Sequence, residues 1–296
     1  MHLNRFLSHL KFEKRFSEHT VTAYTGDLNQ FFEYLESEYQ VSDESEVTHF
    51  FVRSWVVSLM ESGLSPKSVN RKITSLKSYF RFLVREGLVK ENPMLRIQSP
   101  KTPKQLPSFV DENRMDVLFD QLDFPEGFEG IRDRVVLELF YVTGMRLSEL
   151  VNLTVDDVSA EQMSVKVLGK RNKERIIPLS NEMVAAFRSY LPERANHMNE
   201  MGKSGDYLFP GNKGNKIYTK FVYRLVKKYL GMVTTSDKKN PHVLRHTFAT
   251  HMLNNGAEIN AVKEILGHAS LAATQVYTHN TTEKLKKIYK QAHPKA

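Results

Sequence analysis

The chain has 296 residues, 41% of them hydrophobic, a length that suits two ordinary hydrophobic cores better than one. The absence of cysteine excludes disulfides, zinc–thiolate sites and thiol nucleophiles, and no apolar run approaches the ~18 residues of a membrane span, so the sequence reads as soluble and cytoplasmic. The net charge of +8 falls in blocks, −5 over residues 1–62, +8 over 63–105, −6 over 106–201 and +11 over 202–296, a pattern expected of two basic lobes facing one polyanion.

Helical periodicity runs through the first hundred residues. Tyr24, Leu28, Phe31 and Leu35 recur at four, three and four, after Ser17 and Thr20 as candidate caps. A second helix is predicted from Ser65-Pro66, an N-cap followed by proline in the first turn, through the stripe Val69, Ile73, Leu76, Phe80 and Leu83 to Gly87. Its other face carries Lys67, Arg71, Thr74, Ser78, Arg81 and Arg85, and acidic residues are absent from 62 to 85. That row of donors suits DNA phosphates, although an ordinary solvated face has the same look.

The segment NPMLRIQSPKTPKQLPSF holds four prolines and no helical period, and reads as a linker at 92–108 between a helical domain at 1–91 and a second domain at 109–296. Helices are predicted at about 111–122 and 131–143. Met163, Val165 and Val167 then alternate, as do Arg175, Ile177 and Leu179, which fits a hairpin across Lys170–Lys173. The remainder returns to helix.

In PHVLRHTFATHML, Asn240-Pro241 starts a helix, and His242 and Arg245 fall three apart on its first turn, facing an anion site made of free N–H groups and the positive dipole end. A capping histidine and a salt-bridged surface arginine remain the plain alternative. His246 reads as a packed core histidine, and a His242–His246 metal pair lacks the glutamate and carboxylates that would accompany one. Arg146 lies just past Gly144, with Glu149 three residues on as a possible orienting carboxylate. Lys170 sits at the hairpin tip, where a solvated turn is the default. His268 follows a glycine turn, and Tyr277, one of twelve tyrosines, follows nine residues later.

Taken together, Arg146, Lys170, His242-x-x-Arg245, His268 and Tyr277 resemble the catalytic set of the tyrosine recombinases, the phage integrase family. The likeness covers the whole chain and is nearest the Xer subgroup, one member of which ends much like QAHPKA. It implies a mainly α fold with a small β-sheet or hairpin, in which a helical, SAM-like core-binding domain precedes a mixed α/β catalytic domain. It also implies double-stranded DNA with paired half-sites as substrate, a 3′-phosphotyrosyl link to Tyr277, and no metal, ATP or other cofactor. Arg146 and Arg245 would clamp the phosphate and Glu149 support them. His242 would accept the tyrosine proton, His268 would donate to a phosphate oxygen and Lys170 would protonate the leaving oxygen.

The family acts as a homo- or hetero-tetramer on two DNA sites, and a second Xer recombinase and a division-associated DNA translocase are the implied partners. The basic end, with Leu285 and Ile288 among lysines, would either dock on a neighbouring subunit or pack on its own domain. Arg171 stands where the hairpin motif usually has glycine, and Ala273 where threonine is common. A type IB topoisomerase, an integrase of a mobile element and a non-catalytic architectural DNA-binding protein are the alternatives.

Overall fold

The computed structural model describes residues 2–103, 108–169, 173–267 and 279–295, the side chains of 279–284 excepted. The chain divides into two compact units, Met1–Gln105 and Leu106–Ala296.

The first unit is helical: α1 (Leu3–Ser8, continued by a π-helical turn to Glu13), α2 (Glu18–Tyr39), α3 (His49–Glu61) and α4 (Pro66–Arg85). Ser17 and Ser65 cap α2 and α4 as their sequences predict, accepting bonds from the N–H groups of Thr20 and Ser68. Leu28, Phe31 and Leu35 of α2 and Val69, Ile73, Leu76, Phe80 and Leu83 of α4 are buried around Trp55, while Tyr24 lies at the edge. Each such side chain contributes about 1.5–3 kcal/mol relative to an exposed one, so the apolar stripe fixes which face of α4 is left outward. Gly87, in the left-handed region at φ +70°, turns the chain out of the helix. Beyond it Met94 is buried in the same core, and Asn70 of α4 donates to the carbonyl of Pro100.

The second unit contains α5 (Glu112–Asp116, continued by a π-helical turn to Gln121), α6 (Phe128–Thr143), α7 (Leu147–Asn152), β1 (Val158–Ser159), β2 (Ser164–Leu168), β3 (Glu174–Pro178), α8 (Asn181–Glu200), α9 (Thr219–Val233), α10 (Pro241–Asn254), α11 (Ile259–Leu266) and α12 (His279–Ala292). The three strands form one antiparallel sheet in the order β1-β2-β3. Val165 pairs with Ile177 and Val167 with Arg175, the register expected of the hairpin. Helix α6 begins at Phe128, three residues ahead of the predicted start, and is buried along nearly its whole length against α8 and α10.

Leu285, Tyr289 and Ala292 of α12 are buried in this unit's own core, and Ile288 packs beside them. Among the described residues no helix is long and apolar enough to cross a membrane.

Candidate active site

Asn240 caps α10 by accepting the His242 N–H at 3.0 Å, and Pro241 occupies the first turn, so the helix starts where its sequence predicts. From there Arg245 reaches inward, half-buried, and donates to the carbonyls of Gly144 (2.6 Å) and Leu266 (2.7 Å). His242 remains exposed at the helix start. His246 is exposed as well, which corrects the expectation of a core histidine. Partial burial, with His242 and Arg245 close by, lowers its pKa. The packed histidine of this helix is His251, one turn further on, whose Nδ1 lies 2.8 Å from the Tyr141 hydroxyl.

Gly144 ends α6 in the left-handed region at φ +55°, and a Cβ there would lie 2.4 Å from the Phe248 ring, so only glycine fits. Two residues later Arg146 is the N-cap of α7. Its backbone N–H donates to Glu149 Oε2 at 2.7 Å and its Nη1 to Glu149 Oε1 at 2.7 Å, while Nη2 donates to the Gly267 carbonyl at 2.9 Å. Glu149 thus meets Arg146 three residues before it, through both carboxylate oxygens.

The sequence pattern did not single out Arg175 of β3. Its side chain is 5% exposed and bonds Glu149 through both outer nitrogens, at 3.0 and 2.7 Å, and the Ile265 carbonyl through Nε at 2.7 Å. Three consecutive carbonyls at the end of α11, of Ile265, Leu266 and Gly267, therefore each accept from a different arginine. Helix C-termini expose carbonyls that lack partners and carry the negative dipole end, so this turn is a natural collector of guanidinium groups.

Three arginines around one carboxylate leave a net positive site. Burial alone would raise the carboxyl of Glu149, but the bonds from Arg175 and from the Arg146 N–H outweigh it and hold the group at about 2. Burial, with Arg146 beside it, lowers Arg245 to about 10, which leaves it charged at neutral pH. A guanidinium carries five N–H donors. Arg146 and Arg245 each engage two protein oxygens through their side chains among the described residues, and the remaining donors can grip an anion bidentately.

Lys170, His268 and Tyr277 lie outside the described residues. Two of the three adjoin described residues: Gly169 precedes Lys170, and a Cβ on it would lie 3.5 Å from Glu149 Oε1, while Gly267 precedes His268 and accepts from Arg146.

On α4, Lys67, Arg71, Thr74 and Arg81 are exposed and Ser78 is half-buried. The face is less free of acid than its own sequence suggests. Arg71 makes a two-pronged bond to Asp27 of α2 at 2.5 and 2.8 Å, and Arg85 pairs with Glu86 at 3.1 Å. Thr74 turns its hydroxyl to the Asn70 carbonyl. A cleft beside this face is lined by His19, Thr20, Tyr24, Arg71, Thr74 and Ser75. A second basic face, overlooked in the sequence, is the outer side of α9, where Lys220, Arg224, Lys227 and Lys228 are exposed.

The sequence profile of the phage integrase family matches residues 108–284, and that of the phage integrase N-terminal SAM-like domain matches residues 3–87. The chain is 41% identical to the tyrosine recombinase XerC of Chlorobaculum tepidum over 99% of this chain and 94% of that protein, and 38% identical to XerC of Listeria monocytogenes over 99% and 97%. The XerH recombinase, solved with a palindromic difH substrate after cleavage, shares the fold with a TM-score of 0.71 at 21% identity, covering 90% of this chain and 78% of that one.

The chain belongs to the phage integrase family of site-specific tyrosine recombinases, with the two-part, mainly α fold expected of it. The likeness of the ending QAHPKA to that of XerD points elsewhere than these relatives do: they are named XerC, so the Xer subgroup is supported and a closest match to XerD is not.

Proposed function

We propose that this recombinase cleaves double-stranded DNA by attack of Tyr277 on a phosphodiester, forming a 3′-phosphotyrosyl link, and reseals it with a hydroxyl from a second strand. The observation that carries the reading is the pair of half-buried guanidiniums, Arg146 and Arg245, fixed on protein oxygens while keeping donors for the non-bridging phosphate oxygens. In this reading a tyrosine hydroxyl, only about 0.1% ionised at pH 7, gives its proton to His242. His268 donates to a phosphate oxygen and Lys170 protonates the departing deoxyribose oxygen. Because the ester conserves the energy of the broken bond, exchange needs no ATP.

The biological role in this proposal is resolution of chromosome dimers at cell division, in the cytoplasm. The enzyme acts as a tetramer on two paired half-site targets, with a second Xer recombinase and a division-associated translocase as candidate partners. Identity of 38–41% to proteins named XerC supports it. Lys67, Arg71, Thr74, Ser78, Arg81 and Arg85 supply phosphate contacts from the helical unit.

A nicked suicide substrate tests the chemistry. The wild-type chain should give a protein–DNA adduct that survives denaturant, and Tyr277→Phe should give none. An adduct in the mutant, or relaxation of supercoiled DNA with no exchanged strands between two labelled sites, would overturn the proposal.

A further inference from the structure

We propose that Arg175 is a positioning residue for strand cleavage: it sets the Lys170 hairpin, the Arg146–Glu149 cap and the turn before His268 in one register and keeps Glu149 from capturing Arg146. This rests on the function proposed above.

The guanidinium meets three separate segments. Its two outer nitrogens grip both oxygens of Glu149 on α7, and its Nε holds the Ile265 carbonyl at the end of α11. The third segment is the hairpin itself. A Cβ on Gly169 would stand 3.4 Å from Arg175 Nη1, and Gly169 closes the hairpin by donating to the Lys173 carbonyl at 2.7 Å. Gly267, at φ +63°, presses from the other side, where a Cβ would lie 3.2 Å from the same Nη1. Arg175 therefore fills the space between the residues that precede Lys170 and His268.

The carboxylate is shared. Oε1 accepts from Arg146 Nη1 and Arg175 Nη1, and Oε2 from the Arg146 N–H and Arg175 Nη2. With Arg175 in place, Glu149 divides its charge between two guanidiniums, and the half-exposed one keeps positive charge for a phosphate. Without Arg175, the whole carboxylate charge falls on Arg146, the group that has to bind the phosphate. A lysine here would keep the charge but lose the fork that holds two oxygens and a carbonyl together.

The test compares single-turnover cleavage of a nicked suicide substrate with affinity for intact duplex. Arg175→Lys should bind DNA within about 3-fold of wild type and cleave about 10-fold more slowly or worse, the split expected when a group acts on the transition state rather than on binding. Arg175→Gln should cleave about 100-fold more slowly, on the scale of losing one preorganised electrostatic contact. Adding Glu149→Gln to Arg175→Gln should recover at least about 10-fold of that loss, because the uncompensated carboxylate is then gone.

A cleavage rate of Arg175→Lys within about 2-fold of wild type, affinity and rate falling by one common factor, or a double variant no faster than Arg175→Gln would each overturn the role. The lysine variant keeps the buried charge, so the test stands even where the glutamine variant fails to fold. A wild-type chain that forms no adduct would instead refute the proposed function itself.

Discussion

Each unit of this recombinase is organised around one buried carboxylate shared between cations, yet the two are built in opposite ways. Asp27 accepts from Arg71, from Lys72 at 3.0 Å and from Ser75 at 2.8 Å, all on the single helix α4. Glu149 accepts from Arg146 on its own helix and Arg175 on a strand, and those arginines go on to carbonyls at residues 265 and 267. The first is a local device: one acid presses one helix face into shape and leaves Arg71 52% exposed. The second is a device of convergence, in which no two partners share an element except through the cap of α7. A surface that contacts phosphates by number of charges tolerates local construction. A site that has to place charge around one phosphorus atom needs segments that arrive from different directions.

The largest effect expected from breaking this comparison is in the helical unit. Asp27→Ala leaves Lys72, its side chain only 11% exposed, with Gln30 as its remaining side-chain partner among the described residues. Removing one member of a buried ion pair typically costs about 3–5 kcal/mol, because the other charge stays behind without compensation. Trp55 is the only tryptophan in the chain and is buried in this unit, so its fluorescence during urea unfolding of the whole protein reads the loss directly. A shift under about 1 kcal/mol would mean that Lys72 finds water, as a surface pair would, and that Asp27 organises nothing.

The same contrast explains what was legible in the sequence. Helices α2 and α4 announce themselves by spacing and caps, since burial of one stripe decides both their existence and their outward face. The acid beneath that face was not legible, because Asp27 lies 44 residues from Arg71 and nothing local marks the pairing. In the catalytic unit the start of α10 and the Arg146–Glu149 pair follow from short-range rules. Arg175 carried a signal that periodicity alone could not weigh: it alternates with Ile177 and Leu179, so it sits at an inward strand position where a charge requires a partner. His246 went the other way, since α10 is apolar on more than one side and spacing could not say which histidine turns inward.

A smaller effect is expected from pH, and it falls on the catalytic unit. His293 stacks on Tyr289 with ring centroids 5.0 Å apart, and burial, with His251 nearby, lowers its pKa to about 3. Burial lowers His251 too. A folded pKa below the unfolded value of ~6.5 means the unfolded chain binds the proton first, so this stability is full above pH 6.5 and is lost as pH falls from there. Each such histidine contributes a slope of up to about 1.4 kcal/mol per pH unit. Glu149 joins only lower down: its folded pKa is depressed, so its contribution is present above ~4.3 and is lost as pH falls toward 2. Urea midpoints followed by far-UV circular dichroism between pH 6.5 and 4.5 should decline, and His293→Phe should remove part of that slope. An unchanged slope in the variant would show that another group carries it.

The smallest effect sharpens the claim that the α4 face works by counting charges. Lys67 is exposed on the first turn of α4, with no hydrogen bond or ion pair among the described residues, unlike Arg71 and Arg85. If it meets a phosphate, Lys67→Ala should weaken binding uniformly across DNA sequences and reduce the slope of log affinity against log salt by about 1. Cleavage measured once the complex is saturated should not change, since a phosphate contact remote from the reacting centre alters occupancy and not the transition state. The same measurement on Arg85→Ala should show a smaller change in slope, because that guanidinium already shares the Glu86 carboxylate with Arg5 and rests on the Phe82 ring at 5.3 Å. Equal slopes for Lys67→Ala and wild type would reduce the row to a solvated face and leave the outer side of α9 as the stronger candidate for backbone contact.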